Sequence, residues 1–302
     1  MTTDIALGTN LSFAVKRWVE PEAWAGIVRA ELELDLAQFS FDILDPWWPS
    51  ELRGALTRRI RRACEAEGIV LHSAFVGLAS YTYNQLLHPE PEGREAGLEW
   101  FRRAIDTAAD LGVREIGGPL GALSPAEAAD ATRRHDAYER LIDMVADLTD
   151  HAAARGLAGF VVEPTPLPRE FFWRVEDCLA IRSRLSERTA VPISFCLDWG
   201  HALYRPLYGL DGADVRPWLV GLGEHIGQFH LQQTDGVLDR HWGFTRDDGI
   251  VDPVQAANLI RGAGLSDRPV FLEVFYPFET ADDQVLSDMK RCVSTLKEAF
   301  ST

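Results

Sequence analysis

Lysine and cysteine are both scarce in this 302-residue sequence. The only lysines are Lys16, Lys290 and Lys297, and arginine supplies the remaining positive charge. Acidic residues outnumber basic ones by 46 to 30, which gives a formal net charge of −16. Proteins bind nucleic acids largely by neutralising phosphates, so a strongly acidic surface opposes that contact. The composition therefore argues against DNA or RNA as a partner.

The cysteines show no pattern that would bind zinc or form a disulfide framework. Cys64, Cys178, Cys196 and Cys292 are far apart, and no C-x-x-C motif occurs. No run reaches the length of about 18 apolar residues that a membrane span needs. The first ten residues, MTTDIALGTN, lack the basic and apolar segments of a secretory signal. We therefore expect a soluble, cytoplasmic protein with no membrane partner.

Short β-type runs alternate with longer segments of helical period along the chain. In the stretch ELRGALTRRIRRACEAEG, for example, apolar residues recur at spacings of three and four, and Gly68 follows as a stop signal. The predicted strands are residues 5–15, LDLAQFSFDIL, IVLHSAF, VREIGG, LAGFVVEP, VPISFCLD, IGQFHLQ and RPVFLEVF. The predicted helices are residues 21–31, 51–68, 92–111, 125–155, 175–188, 215–225, 253–263 and 282–300.

Eight strand–helix pairs in about 300 residues predict an α/β fold with a parallel sheet. A closed (β/α)8 TIM barrel fits this count better than an open doubly wound sheet. The open fold stays an alternative, although the G-x-G-x-x-G signature after the first strand is missing. No linker divides the chain, so we expect one domain over residues 1–302.

Four of the predicted strands end in a single ionisable residue. GFVV leads into Glu163, ISFCL into Asp198, IGQF into His230 and PVFL into Glu273. TIM barrels collect functional residues at the carboxyl ends of their strands, so these four side chains should converge. Three converging carboxylates repel one another unless a cation lies between them.

The set of four predicts one divalent cation, Mn²⁺, Mg²⁺, Co²⁺ or Zn²⁺, because oxygen and imidazole ligands suit these ions. Taken singly, each residue also fits a salt bridge or a helix cap. The prediction depends on the repetition of the pattern at four successive strand ends.

The motifs VVEPTP, CLDWGH, FHLQQTD and FLEVFYPF resemble those of the xylose isomerase-like TIM barrels, and LHSAF extends the likeness to the first half. That family includes sugar isomerases, sugar-phosphate epimerases and, more distantly, AP endonucleases. The resemblance implies that Glu163, Asp198, His230 and Glu273 bind the metal ion. It also implies that Glu163 and Glu273 act as acid and base.

Further substrate contacts follow from the same resemblance. His201, three residues after Asp198, and His72 in LHSAF resemble histidines near the substrate. Arg240 is the best match to an arginine that contacts substrate in ketose epimerases, although the family spacing is not kept. For His201, a role as a capping or supporting residue is the alternative.

Other residues are candidates for the substrate pocket because of their chemistry alone. Lys16 and Arg17, just beyond the first strand, are candidates for gripping a phosphate or carboxylate, with a solvated surface pair as the alternative. Aromatic residues in the next two loops are candidates for the pocket wall, with loop packing as the alternative. These aromatic residues are Trp47, Trp48, Phe75, Tyr81 and Tyr83.

A metal that holds a ketose through its carbonyl and neighbouring hydroxyl would stabilise an enediolate. Return of the proton to the opposite face epimerises the carbon, and return to the adjacent carbon isomerises the sugar. Epimerisation is favoured because Glu163 and Glu273 follow different strands. The loops LSFAVKRW and TYNQLLHPEPEG resemble those of tetrulose-phosphate epimerases or isomerases of erythritol-type catabolism. Many related barrels form dimers, so a homodimer is also expected.

Three other functions stay open. A lyase or deglycosidase on the same scaffold would begin with the same proton abstraction. A nuclease of the AP endonuclease type would use Asp239 and His241, but the strand-four exit REIGGPLG offers no histidine. A non-catalytic metal-binding protein is the third alternative. Free ketohexoses, ketopentoses and hydroxypyruvate-like acids are the alternative substrates.

Overall fold

Eight parallel strands pair in chain order and close into a barrel in the computed structural model, which describes residues 5–301. The predicted (β/α)8 TIM barrel is therefore confirmed. The strands are β1 (Leu7–Asn10), β2 (Leu36–Ser40), β3 (Val70–Phe75), β4 (Glu115–Gly118), β5 (Gly159–Val162), β6 (Ile193–Asp198), β7 (Ile226–Leu231) and β8 (Val270–Leu272).

Helices follow every strand. They are α1 (Pro21–Gly26), α2 (Ser50–Glu67), α3 (Leu78–Tyr81), α4 (Pro91–Leu111), α5 (Pro125–Ala129), α6 (Ala131–Ala154), α7 (Val175–Leu185), α8 (Trp199–Ala202), α9 (Arg205–Gly212), α10 (Arg216–Leu222), α11 (Pro253–Gly262) and α12 (Asp282–Phe300). Short 3-10 turns occupy Leu11–Ala14, Gln85–Leu87, Pro168–Glu170 and Gly223–His225, and a π-helical turn, Ile27–Glu31, continues α1. Among the described residues, no helix has both the length and the apolar character needed to cross a membrane.

The helices form where the apolar period predicts them, and local chemistry sets their ends. The long helix α4 begins with proline at its first position and stops at Gly112, whose φ of 80° lies in the left-handed region that glycine adopts at low cost. Its buried face carries Trp100 and Phe101, and the Phe101 ring lies 6.4 Å from that of Phe160 in β5. Burial of these large rings stabilises this side of the barrel.

The helix predicted over residues 125–155 is two helices in the structure. Asp130 separates them because it has extended backbone angles and its carboxylate accepts hydrogen bonds from the N–H groups of Thr132 and Arg133. Aspartate at such an N-cap ends one helix and starts the next. Ser124 caps the first of the two through a capping box with Glu127.

The first strand is shorter than predicted, and the loop after β6 contains more helix than predicted. Asn10 ends β1 by accepting a hydrogen bond from Ser12 N, which starts a 3-10 turn in place of further strand. After β6, the carboxylate of Asp198 caps α8 in the same way, by accepting from His201 N. Both side chains thus turn the chain sharply at a strand exit.

The described residues group into two compact units. One contains residues 5–38, 62–70 and 196–301, where β1 pairs with β2 and β8, and β7 pairs with β8. The other contains residues 39–61 and 71–195, where β4 pairs with β3 and β5, and β5 pairs with β6. The expectation of one domain over residues 1–302 stays a prediction.

Candidate functional site

The four residues predicted to bind a metal lie at the carboxyl ends of the last four strands. Glu163 follows β5, Asp198 is the last residue of β6, His230 is the fifth residue of β7, and Glu273 follows β8. Asp198 and His230 are fully buried, and the two glutamates are 6% exposed. The apolar strands before them carry these polar groups into the interior.

One ligand atom from each of the four residues lies within 4.8 Å of the others. Such spacing leaves room for a single ion among three carboxylates and one imidazole. The donors are oxygen and nitrogen atoms, which suit a divalent cation of the Mn²⁺, Mg²⁺, Co²⁺ or Zn²⁺ type. The structure therefore brings the predicted ligands together, and their role as ligands stays a prediction.

The carboxylate of Asp198 presents one oxygen that suits a cation. Its Oδ1 atom accepts hydrogen bonds from His201 N at 2.9 Å and from Gln232 Nε2 at 3.0 Å. Its Oδ2 atom is buried and has no hydrogen-bond partner among residues 5–301. A buried acceptor without a partner costs about 1–3 kcal/mol, and more when it is charged. The free oxygen thus fits a metal ligand.

Gln38 and Glu273 hold the two ring nitrogens of His230, and Asn10 in turn contacts Gln38. Its Nε2 atom lies 2.7 Å from Gln38 Oε1, and its Nδ1 atom lies 2.7 Å from Glu273 Oε2. Asn10 Nδ2 also donates to Gln38 Oε1, at 2.5 Å, so that oxygen acts as an acceptor. Burial raises the pKa of Glu273, but the adjacent His230 outweighs this effect and the pKa is lowered.

Two further histidines meet at one carboxylate beside this cluster. Asp239 Oδ2 lies 3.2 Å from His201 Nε2, and Asp239 Oδ1 lies 3.1 Å from His241 Nε2. His241 Nδ1 in turn lies 3.5 Å from Glu273 Oε2. Asp198, His201 and His241 also have ligand atoms within 4.8 Å of one another. The geometry thus joins His201, Asp239 and His241 to the predicted ligands Asp198 and Glu273.

The positive charge of His241 and the negative charge of Asp239 stabilise each other. Burial lowers the pKa of His241, but Asp239 and then Glu273 favour the imidazolium and raise the pKa to about 9. Burial raises the pKa of Asp239, but His241 and His201 hold it well below its usual range. His241 is therefore a cation and Asp239 an anion near neutral pH.

Substrate contact by Arg240 in this loop stays a prediction, and the structure turns the next residue, His241, towards Glu273. Arg240 binds Asp235 through Nε and Nη2 at 3.0 and 2.7 Å and stacks on Trp242. The Arg240 hydrogen bond lowers the pKa of Asp235 to about 2. His241 has a φ of 46°, a left-handed angle that redirects its side chain. The sequence TDGVLDRHWGF carries no signal of that angle.

The two cations after β1 have different surroundings. The side chain of Arg17 is 5% exposed, and it donates to the carbonyl oxygens of Thr280 and Pro277 and pairs with Asp282 at 2.6 Å. Lys16 is exposed, and its Nζ atom lies 4.7 Å from the centroid of the Phe278 ring. The guanidinium of Arg17 is therefore already bound by groups of the protein itself. A role for Lys16 and Arg17 in binding a substrate anion stays a prediction.

The remaining predicted contacts lie on the second and third strand–loop segments. His72 is the third residue of β3 and precedes the strand's end by three residues, about 10 Å, so it is not at the strand exit. Phe75 ends β3 and is buried, whereas Trp48 and Trp47 are both exposed. Arg103 stacks on Trp47 at 4.7 Å. Substrate contact by these residues stays a prediction.

A closed parallel barrel with a buried carboxylate–imidazole cluster at its strand ends defines a TIM barrel with a possible metal-binding cluster. A sequence-family model described as "Xylose isomerase-like TIM barrel" matches residues 30–292. The chain belongs to this family. The resemblance seen in the sequence motifs is thus confirmed.

Individual relatives agree with this assignment. The chain is 25% identical over 297 residues to D-erythrulose 1-phosphate 3-epimerase of Brucella abortus (strain 2308), covering 96% of this chain and 94% of the relative. It is 41% identical to a protein of Rhodospirillum rubrum ATCC 11170 that is provisionally named a xylose isomerase. That structure has a TM-score of 0.94, and the match covers 97% of this chain and 99% of the other.

Fold similarity extends to more distant structures. D-psicose 3-epimerase of Clostridium cellulolyticum H10, solved with D-tagatose, has a TM-score of 0.69 at 15% identity, with 98% of this chain and 97% of the other covered. At 15% identity, this structural similarity shows a shared fold and no more. Erythrulose-phosphate and psicose 3-epimerases are both sugar epimerases, and an epimerase is an isomerase. The comparisons therefore support the predicted enzyme class.

Proposed function

We propose that this protein is a divalent-metal-dependent ketose epimerase that acts on a small phosphorylated ketose, with a tetrulose phosphate as the first candidate. The cluster of Glu163, Asp198, His230 and Glu273 carries the proposal, because four ligand atoms lie within 4.8 Å of one another at the strand ends. The erythrulose-phosphate epimerase that matches 96% of the chain supports the reaction and the substrate class.

In this proposal, Glu163 and Glu273 move the proton. One carboxylate accepts the proton from the carbon next to the ketose carbonyl, and the C–H electron pair enters the enediolate. The other returns a proton to the opposite face of the same carbon, which inverts its configuration. Their positions after β5 and β8 support approach from two sides.

When bound, the divalent cation supplies Lewis-acid stabilisation of the negative charge that develops on the substrate oxygens. Asp198 and His230 would hold that ion together with the two glutamates. Asp198 offers its unpartnered Oδ2 atom. His230 offers Nδ1, because Gln38 engages its other ring nitrogen at 2.7 Å.

His201 and His241 are positioned to bind substrate oxygens. Both imidazoles are held by Asp239, at 3.2 and 3.1 Å, and His241 also lies near Glu273. We infer that exposed Lys16 helps to bind the substrate phosphate. Arg17 is less suited to this role because its guanidinium already binds Thr280 and Pro277.

Solvent deuterium exchange tests the proton-transfer step. The Mn²⁺-loaded protein is incubated with D-erythrulose 1-phosphate in D₂O, and deuterium at C3 is followed by NMR together with the epimeric product. Glu163→Gln and Glu273→Gln should each abolish epimerisation, because an amide neither accepts nor returns the proton. Undiminished epimerisation in both variants would remove them as proton carriers.

Glu170→Gln provides a matched control. Glu170 is also buried and belongs to the loop after β5, but its carboxylate accepts a hydrogen bond from Thr165 at 2.7 Å. This variant should epimerise as the unchanged protein does. A panel of free ketoses assayed in parallel decides whether the phosphate is required.

A lyase or deglycosidase would begin with the same proton abstraction, so product analysis must accompany the exchange assay. An epimerase returns a ketose with every carbon and substituent retained. A shorter product or a released group would assign the chain to the lyase or deglycosidase alternative.

We also infer a reducing, cytoplasmic location and a homodimer. All four cysteines are buried and unpaired by disulfides, which suits a reducing compartment. Light scattering on the purified protein tests the dimer directly.

A further inference from the structure

Gln232 contacts both the predicted metal ligands and the histidine-bearing loop. It directly follows β7, two residues after His230, and is fully buried. Its Nε2 atom lies 3.0 Å from Asp198 Oδ1 and 3.1 Å from Asp239 Oδ1. Its Oε1 atom accepts a hydrogen bond from the backbone N–H of His241.

The side-chain amide of Gln232 has the donors and the acceptor that these three contacts need. A glutamine side chain has two N–H donors on Nε2 and one acceptor oxygen. The two donors fit the two carboxylates of Asp198 and Asp239, and the oxygen fits the amide of His241. A carboxylate here would face two others, and an apolar side chain would leave buried partners unsatisfied.

The backbone around Gln232 is adapted to this side chain. A Cβ atom added at Gly200 would lie 2.6 Å from Gln232 Cδ, so any larger residue there would displace the amide. His241 has a φ of 46°, an angle that costs energy for a residue other than glycine. Its N–H is held by Gln232, and its carbonyl oxygen is held by Phe275 N at 3.0 Å.

The bond to Asp198 also determines which oxygen remains available. Asp198 Oδ1 accepts from both Gln232 and His201 N, whereas Oδ2 has no partner among residues 5–301. Gln232 thereby turns one carboxylate oxygen towards the cluster while holding the other. Supporting hydrogen bonds of this kind usually set the orientation and affinity of metal ligands.

We propose that Gln232 is a positioning residue that fixes the metal-facing oxygen of Asp198 and, through the same amide, the segment from Asp239 to His241. This inference rests on the proposed metal-dependent function. Gln232 couples the metal ligands to the substrate-facing imidazoles, because its side chain contacts Asp198 on one side and Asp239 and the His241 backbone on the other. In this proposal Gln232 itself would touch neither the ion nor the substrate.

Gln232→Met tests this role, because methionine fills a similar volume without the donors and acceptor. Mn²⁺ affinity is measured by calorimetry on protein stripped with a chelator and dialysed. We expect the dissociation constant to rise about 10–100-fold. Hydrogen exchange of the peptide over residues 235–243, measured without metal, should become faster because the His241 amide loses its acceptor.

The neighbouring Gln233 offers a matched control. It is also buried, but its side chain binds Val251 N at 2.8 Å, Val251 O at 2.9 Å and Thr234 N at 3.0 Å. Gln233→Met should lower the unfolding temperature while leaving the Mn²⁺ affinity within twofold. If Gln232→Met does not fold, Gln232→Asn keeps the amide but shortens its reach, and the same weakening is expected.

The outcomes separate this inference from the proposed function. A Gln232 variant whose Mn²⁺ affinity stays within twofold of the unchanged protein overturns the positioning role, as does equal weakening by Gln233→Met. Weakened Mn²⁺ binding in the Gln232 variant alone supports the role. Absence of ketose epimerisation in the unchanged, Mn²⁺-binding protein would refute the proposed function but leave this result in place.

Discussion

The imidazole of His230 is held from both sides, with Nδ1 2.7 Å from Glu273 Oε2 and Nε2 2.7 Å from Gln38 Oε1. Because Asn10 donates to the same Gln38 oxygen, that oxygen accepts the Nε2 proton of His230. Nδ1 faces the carboxylates and shares a proton with Glu273 Oε2, so a cation bound at Nδ1 would take the place of that proton. Gln38 thus selects the ring nitrogen that can bind a cation.

Replacement of Gln38 by leucine should weaken cation binding. The imidazole would lose the acceptor that fixes its tautomer, and we expect the Co²⁺ dissociation constant to rise about 10–100-fold. Calorimetry measures the affinity, and the visible absorption of the Co²⁺ complex reports the ligand geometry. An unchanged affinity and spectrum would show that His230 needs no help from Gln38.

Asp198→Asn should also weaken Mn²⁺ binding, by at least about tenfold, because it removes a ligand charge. Asp235→Asn is the matched control, since Asp235 lies in the β7 loop and pairs with Arg240 at 2.7 Å. Its Mn²⁺ affinity should equal that of the unchanged protein. Equal affinities for all three proteins in calorimetry would exclude Asp198 as a ligand.

The chelator-treated protein should become less stable at alkaline pH, because the His241 imidazolium loses its proton there. Its pKa is raised from 6.5 to about 9 by Asp239 and Glu273, against the effect of burial. A raised folded-state pKa contributes stability that is complete below pH 6.5 and disappears as the pH rises through about 9. Urea unfolding at pH 6, 7.5 and 9.5 measures this loss.

His241→Gln removes the titrating group and serves as the reference for that experiment. The difference in unfolding free energy between the unchanged protein and this variant should shrink as the pH rises. A difference that stays constant across the three pH values would show that His241 does not change its charge in this range.

Asp288 in α12 links the two loops that carry His241 and Glu273. It accepts hydrogen bonds from Tyr276 Oη at 2.7 Å and from Thr245 Oγ1. Asp288→Ala should lower the unfolding free energy by about 1–3 kcal/mol, because two partly buried hydroxyl donors lose a charged acceptor. Arg291→Ala removes only a partner that is 65% exposed and should cost less than about 1 kcal/mol. Urea titration of both variants measures the contrast, which equal losses would contradict.

Lys16 and Arg17 should respond differently to substitution. Lys16→Met should raise the KM for a phosphorylated ketose with little change in kcat, because it removes the exposed charge proposed to bind the phosphate. Arg17→Met should instead lower the unfolding temperature, because Arg17 holds Thr280 and Pro277. A KM independent of Lys16 in steady-state kinetics would remove it from the substrate site.

The sequence determined the barrel and the residues at its strand ends. Apolar runs and helical periods alternate along the chain, and parallel strands must place Asp198, His230 and their counterparts at the same edge. The boundary at Asp130 was missed, because an aspartate inside a helical period also fits an exposed helix position. Local patterns thus fixed the order of elements better than their limits.

Only the tertiary structure decided which side chains support the cluster. Gln38 and Gln232 follow no periodic pattern, and they meet His230 and Asp198 because the barrel brings separate strands together. The approach of His241 to Glu273 depends on a left-handed backbone angle that long-range hydrogen bonds stabilise. Sequence determines what each strand carries to the barrel mouth, whereas contacts between distant segments determine the direction in which each side chain points.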